Sequence, residues 1–154
     1  MEYDKIRYLE LFQQDESLKK KGMSLYEEDR DKYLELLKYQ VRLCDQKSWE
    51  NRKNYFSVMN NLINEKLTAE DFIDEFLGLW EEDRNWKENL DVNCEPNIAS
   101  KGFSKWINKL FFCCEDFEPE AQKNEQYGEK WLKDSVSNVL IQMQKEYNSN
   151  ENAD

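Results

Sequence analysis

Apolar positions along the chain recur at steps of three, four and seven residues, the repeat of an α-helix with one buried face. Residues 3–13 make a short stretch of this kind, with Tyr8, Leu9, Leu11 and Phe12 apolar, and Lys19-Lys20-Lys21-Gly22 breaks it. Ser24 stands three residues before Glu27, a capping-box spacing that predicts a helix over 25–46. Its stripe is Tyr26, Tyr33, Leu37, Val41 and Cys44. A second helix is expected over 49–65, on Trp49, Phe56, Met59 and Ile63, with Tyr55 and Leu62 beside them. Thr68 is a good N-cap for a third helix over 69–82, with Glu70 and Asp71 in the first turn, where the macrodipole favours acids. Phe72, Ile73, Phe76, Leu77 and Trp80 share its face. Residues 83–101 read as the longest irregular region, with a short turn of helix at Trp86–Leu90. A helix over 103–114 stacks Phe103, Trp106, Ile107, Leu110 and Phe111. The last, over 129–147, carries Leu132, Val136, Val139, Leu140, Met143 and Tyr147.

Helices with matching apolar faces bury them against one another. The pattern predicts an all-α protein, an antiparallel four-helix bundle with an extra N-terminal helix. Residues 1–48 are the helical extension, 49–147 the bundle, and 148–154 a disordered tail. Phe76, Leu110 and Trp131 are expected in the core. Trp80, Trp106 and Trp131 fall on apolar stripes, whereas Trp86, in a charged irregular region, has two readings: a solvated loop residue or an exposed anchor.

Composition narrows the function more than the fold. The 154 residues include only four Gly and two Pro, too few for a turn-rich β-sandwich or barrel. Residues 1–20 alternate charged and apolar positions, unlike a secretory leader, and no apolar run of about 18 residues exists to span a membrane. There is no His, the commonest general base and metal ligand. No Gly-rich phosphate loop and no G-x-S-x-G elbow occurs. Cys44, Cys94, Cys113 and Cys114 form no C-x-x-C pair. They read as reduced thiols packed as small hydrophobes, with a redox or metal role as the alternative. Carboxylates are so frequent that no one pair stands out for Mg²⁺ or glycoside chemistry. The expectation is a protein that is not an enzyme and needs no cofactor or metal.

The net charge of −11 is unevenly spread. Residues 1–64 balance at 12 acidic and 12 basic side chains, whereas residues 65–120 hold 15 acidic and 6 basic. Such a segment repels nucleic acid and attracts a cationic protein, although an acidic surface also serves solubility alone. Two clusters follow helix ends: Glu81, Glu82 and Asp83 after the third, and Glu115, Asp116, Glu118 and Glu120 after the fourth. Acids there oppose the helix macrodipole. The expectation is that the two ends lie together as one anionic patch for a cationic cleft.

The segment from Val58 to Phe76, continuing through Trp80 to Asp83, resembles the opening helical hairpin of the bacterial self-protective colicin-like immunity (colicin D immunity) family. The likeness continues at Trp106-Ile107-Asn108-Lys109-Leu110-Phe111, then Cys114, Asp116-Phe117 and Glu118-Pro119-Glu120. It closes at Trp131-Leu132 with Val136, Leu140 and Tyr147. It covers roughly residues 50–147. The extended form, with Tyr39-Gln40 through Asp45 and Trp49-Glu50-Asn51-Arg52, is similar to reading frames of cyanobacteria and algal plastids. The family turn has Gly after Asn, where this chain has Glu65; Asn64 is expected to take the left-handed conformation instead. The longer 83–102 loop is a second departure. The resemblance implies an acidic helical protein that blocks the basic active-site cleft of a tRNA-cleaving toxin. The second reading is a non-enzymatic structural or assembly protein, plastid-encoded, with a different partner. The compartment is the cytoplasm, or the plastid stroma if the gene is organellar.

Overall fold

The computed structural model describes residues 2–85 and 94–151, and side chains up to residue 146. The elements are α1 (Lys5–Lys20), α2 (Leu25–Glu28), α3 (Arg30–Glu50), α4 (Arg52–Ile63), α5 (Ala69–Asp83), a 3-10 turn (Ile98–Ser100), α6 (Ser104–Asp116) and α7 (Glu129–Glu151). Among the described residues there is no strand, and the protein is all-α. Trp86, and the turn expected at Trp86–Leu90, lie outside the described residues.

The N-terminal part holds three helices rather than one. α1 outruns the 3–13 expectation because Gln13, Gln14, Glu16, Leu18, Lys19 and Lys20 are good helix formers and the Lys19 ammonium lies 2.8 Å from Asp15. It stops at Gly22, which takes φ +72° while Met23 donates back to the Leu18 carbonyl. The expected 25–46 helix is divided at Asp29, whose backbone is extended and whose carboxylate accepts from the Lys32 amide. Ser24 caps α2 through the Glu27 amide, as its spacing predicts. α3 then runs past residue 46 to Glu50, so Trp49 ends this helix instead of opening the next.

The face that α3 buries also differs. Leu36, Tyr39 and Leu43 point inward, together with Cys44, Asp45, Gln46, Ser48 and Trp49. Tyr26 and Val41, expected on the buried stripe, are exposed. The buried side changes along the helix: Asp45 and Ser48 are buried on the same side that is exposed at Leu34 and Val41, earlier in the helix.

Two apolar clusters meet along α3. One gathers Tyr8, Leu11, Phe12, Leu25, Leu36, Tyr39, Leu43 and Cys94. The other runs from Trp49 and Tyr55 through Phe72, Phe76, Ile107 and Leu110 to Leu132 and Met143. A boundary at residue 48 therefore falls inside a continuous helix. Phe76 and Leu110 are fully buried, whereas Trp131 is half-buried against the cluster and meets Tyr127 edge-on. α7 continues helically to Glu151, into the stretch expected to be a disordered tail; residues 152–154 lie outside the described residues.

Side-chain pairs fix the helix directions. Trp80 stacks on Phe111 at 4.4 Å and Arg84 donates to Asn108 at 2.7 Å, so α5 and α6 run antiparallel. Lys105, near the start of α6, meets Glu146, late in α7, at 2.9 Å. The 117–128 loop closes tightly on Gly128, where a Cβ would come 2.4 Å from the Gln122 carbonyl oxygen.

The α4–α5 turn holds the left-handed residue one position later than expected. Asn64 keeps φ −86° and Glu65 takes φ +61°. The amide of Lys66 donates to Asn61 and that of Glu65 to Leu62, a Schellman closure that places Glu65 where Gly is favoured. Glu65 is exposed and meets Lys133 at 3.0 Å.

Glu65→Gly is therefore expected to stabilise. Relief of the left-handed conformation contributes roughly 1–2 kcal/mol, against about 0–1 kcal/mol for an exposed ion pair. A urea midpoint that falls rather than rises would overturn the assignment of strain. In the same assay Phe76→Ala should cost about 3–5 kcal/mol. The half-buried Trp131→Ala should cost less than Phe76→Ala, and an equal loss would show that Trp131 belongs to the sealed core.

Candidate functional site

Of the seven acids singled out in the sequence, six face solvent: Glu81, Glu82, Glu115, Asp116, Glu118 and Glu120. Asp83 does not, being only 1% exposed. The two clusters also fail to meet. Because α5 and α6 are antiparallel, the end of α5 lies beside Asn108, near the middle of α6. Asp116 is eight residues further on, about 12 Å along the axis, towards the opposite end of the pair. The expectation of one joint patch is thus corrected on two counts. Helix direction separates the clusters, and the helical turn carries Asp83 inward.

Asp83 is held by α3 and α4. Its carboxylate accepts from the Ser48 hydroxyl at 3.1 Å, from the Asn51 side-chain amide at 2.7 Å, and from the Tyr55 hydroxyl. Burial raises its pKa above the ordinary 3.8, and the three donors only partly offset this. Burial and the Asp83 charge together push the Tyr55 hydroxyl far upward, so Tyr55 stays protonated and donates. No face of this carboxylate is open to a substrate.

A second buried carboxylate, Asp45 at 2% exposure, was not singled out from the sequence. α6 begins after Phe103, which offers no capping side chain. Asp45 supplies the cap from α3, accepting from the Gly102 and Ser104 amides, each at 2.9 Å, and from the Ser104 hydroxyl. Arg42 meets Asp45 at 3.3 Å and also donates to the Asn97 carbonyl at 3.0 Å. Gln46 accepts from the Asn97 amide at 2.8 Å. One turn and a half of α3 thereby pins the 97–104 segment.

The surface chemistry that remains is the outer face of α5. Ala69–Asp83 contains seven acids and no base. Glu70, Asp71, Asp74, Glu75, Glu81 and Glu82 all face solvent. A groove of about 430 Å³ runs between α4 and α5, with Asp74, Glu75 and Glu82 along one side and Asn54 and Ser57 along the other. Gly78 lies in its lining, and a Cβ there would meet nothing within 4 Å. The signal in the sequence is a fifteen-residue helix, Ala69–Asp83, without a single cation.

Nucleophilic chemistry finds little support. Burial pushes the Cys44 thiol up to about 11 and the Cys114 thiol up to about 12, and raises Cys113 as well. These are the opposite of activated thiols. Among the described residues no group of three or more carboxylates or thiols is arranged to hold a metal ion, and no helix is long and apolar enough to cross a membrane. What fold and site define is a class: an all-α protein with two polar locks on α3 and one strongly anionic helix face. Comparison with protein-family models, curated proteins and solved structures finds no match to this chain.

The raised Asp83 pKa sets a sign for pH dependence. A group that holds its proton more tightly when folded stabilises fully below its unfolded pKa and loses that contribution as pH rises through the folded value. Relative to Asp83→Asn, the wild-type protein should therefore lose stability as pH rises from about 4 through the raised Asp83 value. Urea titrations of both proteins at acidic and neutral pH read this directly, and a difference of opposite slope would contradict the desolvation argument. Asp45→Ala, which strands two amides and Arg42, should cost about 3–5 kcal/mol. Wild-type stability for that variant would show that α6 needs no cap from α3.

Proposed function

We propose that the chain is a non-catalytic binding protein whose anionic α5 face fills the cationic cleft of a protein partner. The observation that carries this reading is α5 itself, with six solvent-facing carboxylates, no cation, and an acid-lined groove beside it. In this reading α4–α7 form an antiparallel four-helix bundle that presents the face, and α1–α3 brace it. A row of carboxylates on a rigid helix can stand where phosphates would lie in an RNA-binding cleft, and its field hastens encounter with a basic surface. The same field repels nucleic acid, so the partner is a protein. The α4–α5 hairpin is also where the resemblance to colicin-type immunity proteins begins, which favours a tRNA-cleaving toxin as that partner. No cofactor is required for occlusion of this kind. The compartment in this reading is the cytoplasm, or the plastid stroma for an organellar gene.

The test is inhibition of tRNA cleavage by a panel of colicin-type tRNA-cleaving domains. The wild-type chain should protect tRNA against at least one of them, less well as salt rises. Asp74→Lys with Glu75→Lys, both on the exposed face, should abolish that protection. Asp116→Lys with Glu118→Lys, at the far end of α6, should leave most of it. Protection that survives the α5 reversal would sink the assignment of the face, and no protection in any pairing would sink the toxin.

A further inference from the structure

We infer that the outward face of α3 is a second docking surface, a groove for an acidic amphipathic helix of a partner protein. Leu34, Leu37 and Val41 lie at i, i+3 and i+7 on this face. Leu34 is 44% and Val41 55% exposed, a high exposure for large aliphatic side chains on one stripe. They line a groove of about 560 Å³ that Tyr3 and Gly102 complete. Beside it lies a second hollow of about 420 Å³, which shares Tyr3, Arg42 and Lys101 and adds Ile98; Glu2 and Glu95 there largely offset its cations, Lys5 among them, so the cationic character belongs to the first groove. Ile98 is 82% exposed, so the apolar strip continues past α3.

Charge identifies the occupant. The cations along the groove are Lys38, Arg42 and Lys101. The sole carboxylate lining it is Asp45, whose oxygens are already engaged by Gly102, Ser104 and Arg42. A cationic rim on a chain of net charge −11 is a local reversal of sign. A helix with an apolar stripe of matching period can lie along Leu34 and Val41, and acids flanking that stripe would meet Lys38 and Lys101. A second copy of the chain fits less well. Lys38 sits between Leu34 and Val41, so a two-fold pairing of the two stripes would oppose Lys38 to itself.

The experiment uses the full chain and two fluorescent designed peptides of about four helical turns. Both carry Leu at i, i+3 and i+7; one is flanked by Glu and the other by Lys. The Glu peptide should bind, and more weakly at high salt. Val41→Lys should weaken it by about ten-fold or more, with Leu34→Lys as an independent second variant. Both sites are exposed, and circular dichroism should report an unchanged fold. Lys38→Glu with Lys101→Glu should move the preference to the Lys peptide. The inference is overturned if neither peptide binds, if both bind equally, or if Val41→Lys has no effect. It is equally overturned if the chain alone sediments as a dimer that Val41→Lys dissociates, since the occupant would then be a second copy.

Discussion

The position of α6 depends on a carboxylate that is not its own. Asp45, a full turn before the end of α3, accepts from the Gly102 and Ser104 amides and so closes the start of α6. The Phe103, Lys105 and Trp106 amides close on nearby carbonyls, and Phe103 offers no capping side chain for the Gly102 and Ser104 amides that Asp45 takes up. Remote capping turns that deficit into a tether, because the amides are satisfied only when α3 and α6 are in register. Trp49 follows on α3 and meets Phe103 edge-on at 5.5 Å, so the polar lock and the apolar contact specify the same docking. Asp83 repeats the device one turn further along α3, where Ser48 and Asn51 receive the end of α5. A buried carboxylate is costly unless donors surround it. That cost makes the locks selective, since a shifted α3 would strand two charges.

This arrangement explains where the acids of α5 are free to act. The helix ends with three consecutive acids, against the preference of its own macrodipole. One of them, Asp83, is absorbed by the lock. The charge at this end is further eased by Arg84, whose guanidinium lies 4.1 Å over the Trp80 ring and which also binds Asn108. Glu70, Asp71, Asp74 and Glu75 stand without a cation on their own helix. Self-repulsion at this spacing is a modest penalty in water, and a cationic partner would convert it into attraction.

The fold class and most helices were legible in the sequence because their signals are local. Thr68 caps α5 and Ser24 caps α2 as their spacing predicts, and the stripes of α5, α6 and α7 up to Met143 pack into or against one apolar cluster. α3 was misread for a definite reason. Hydrophobic periodicity assumes that one face is buried along its whole length, and here the side shared by Leu34, Val41, Asp45 and Ser48 is buried only from Cys44 onward, where it is polar, and exposed at Leu34 and Val41. The break at Asp29 is a matter of one side chain choosing the Lys32 amide over helix continuation, which spacing alone does not decide. The site was misread for a global reason. Which helix ends adjoin depends on chain direction, and the antiparallel pairing of α5 and α6 places the two acidic clusters towards opposite ends.

The open surface of α3 and the anionic face of α5 lie on two helices joined by one lock. On α3, Leu34, Val41 and Ser48 recur at seven-residue steps on one side of the helix, with Asp45 beside them. The locks engage that side from Asp45 onward and leave it exposed at Leu34 and Val41, where Lys38 keeps it solvated. α5 divides around its circumference instead, with an apolar interior face and an outer face of carboxylates. The molecule therefore carries surfaces of opposite sign on two helices that the Asp83 lock ties together. At physiological salt, fields decay over about 8 Å, so each face acts on its own surroundings rather than cancelling the other. A partner reads one face at a time, and the shared α3 wall keeps both in fixed orientation.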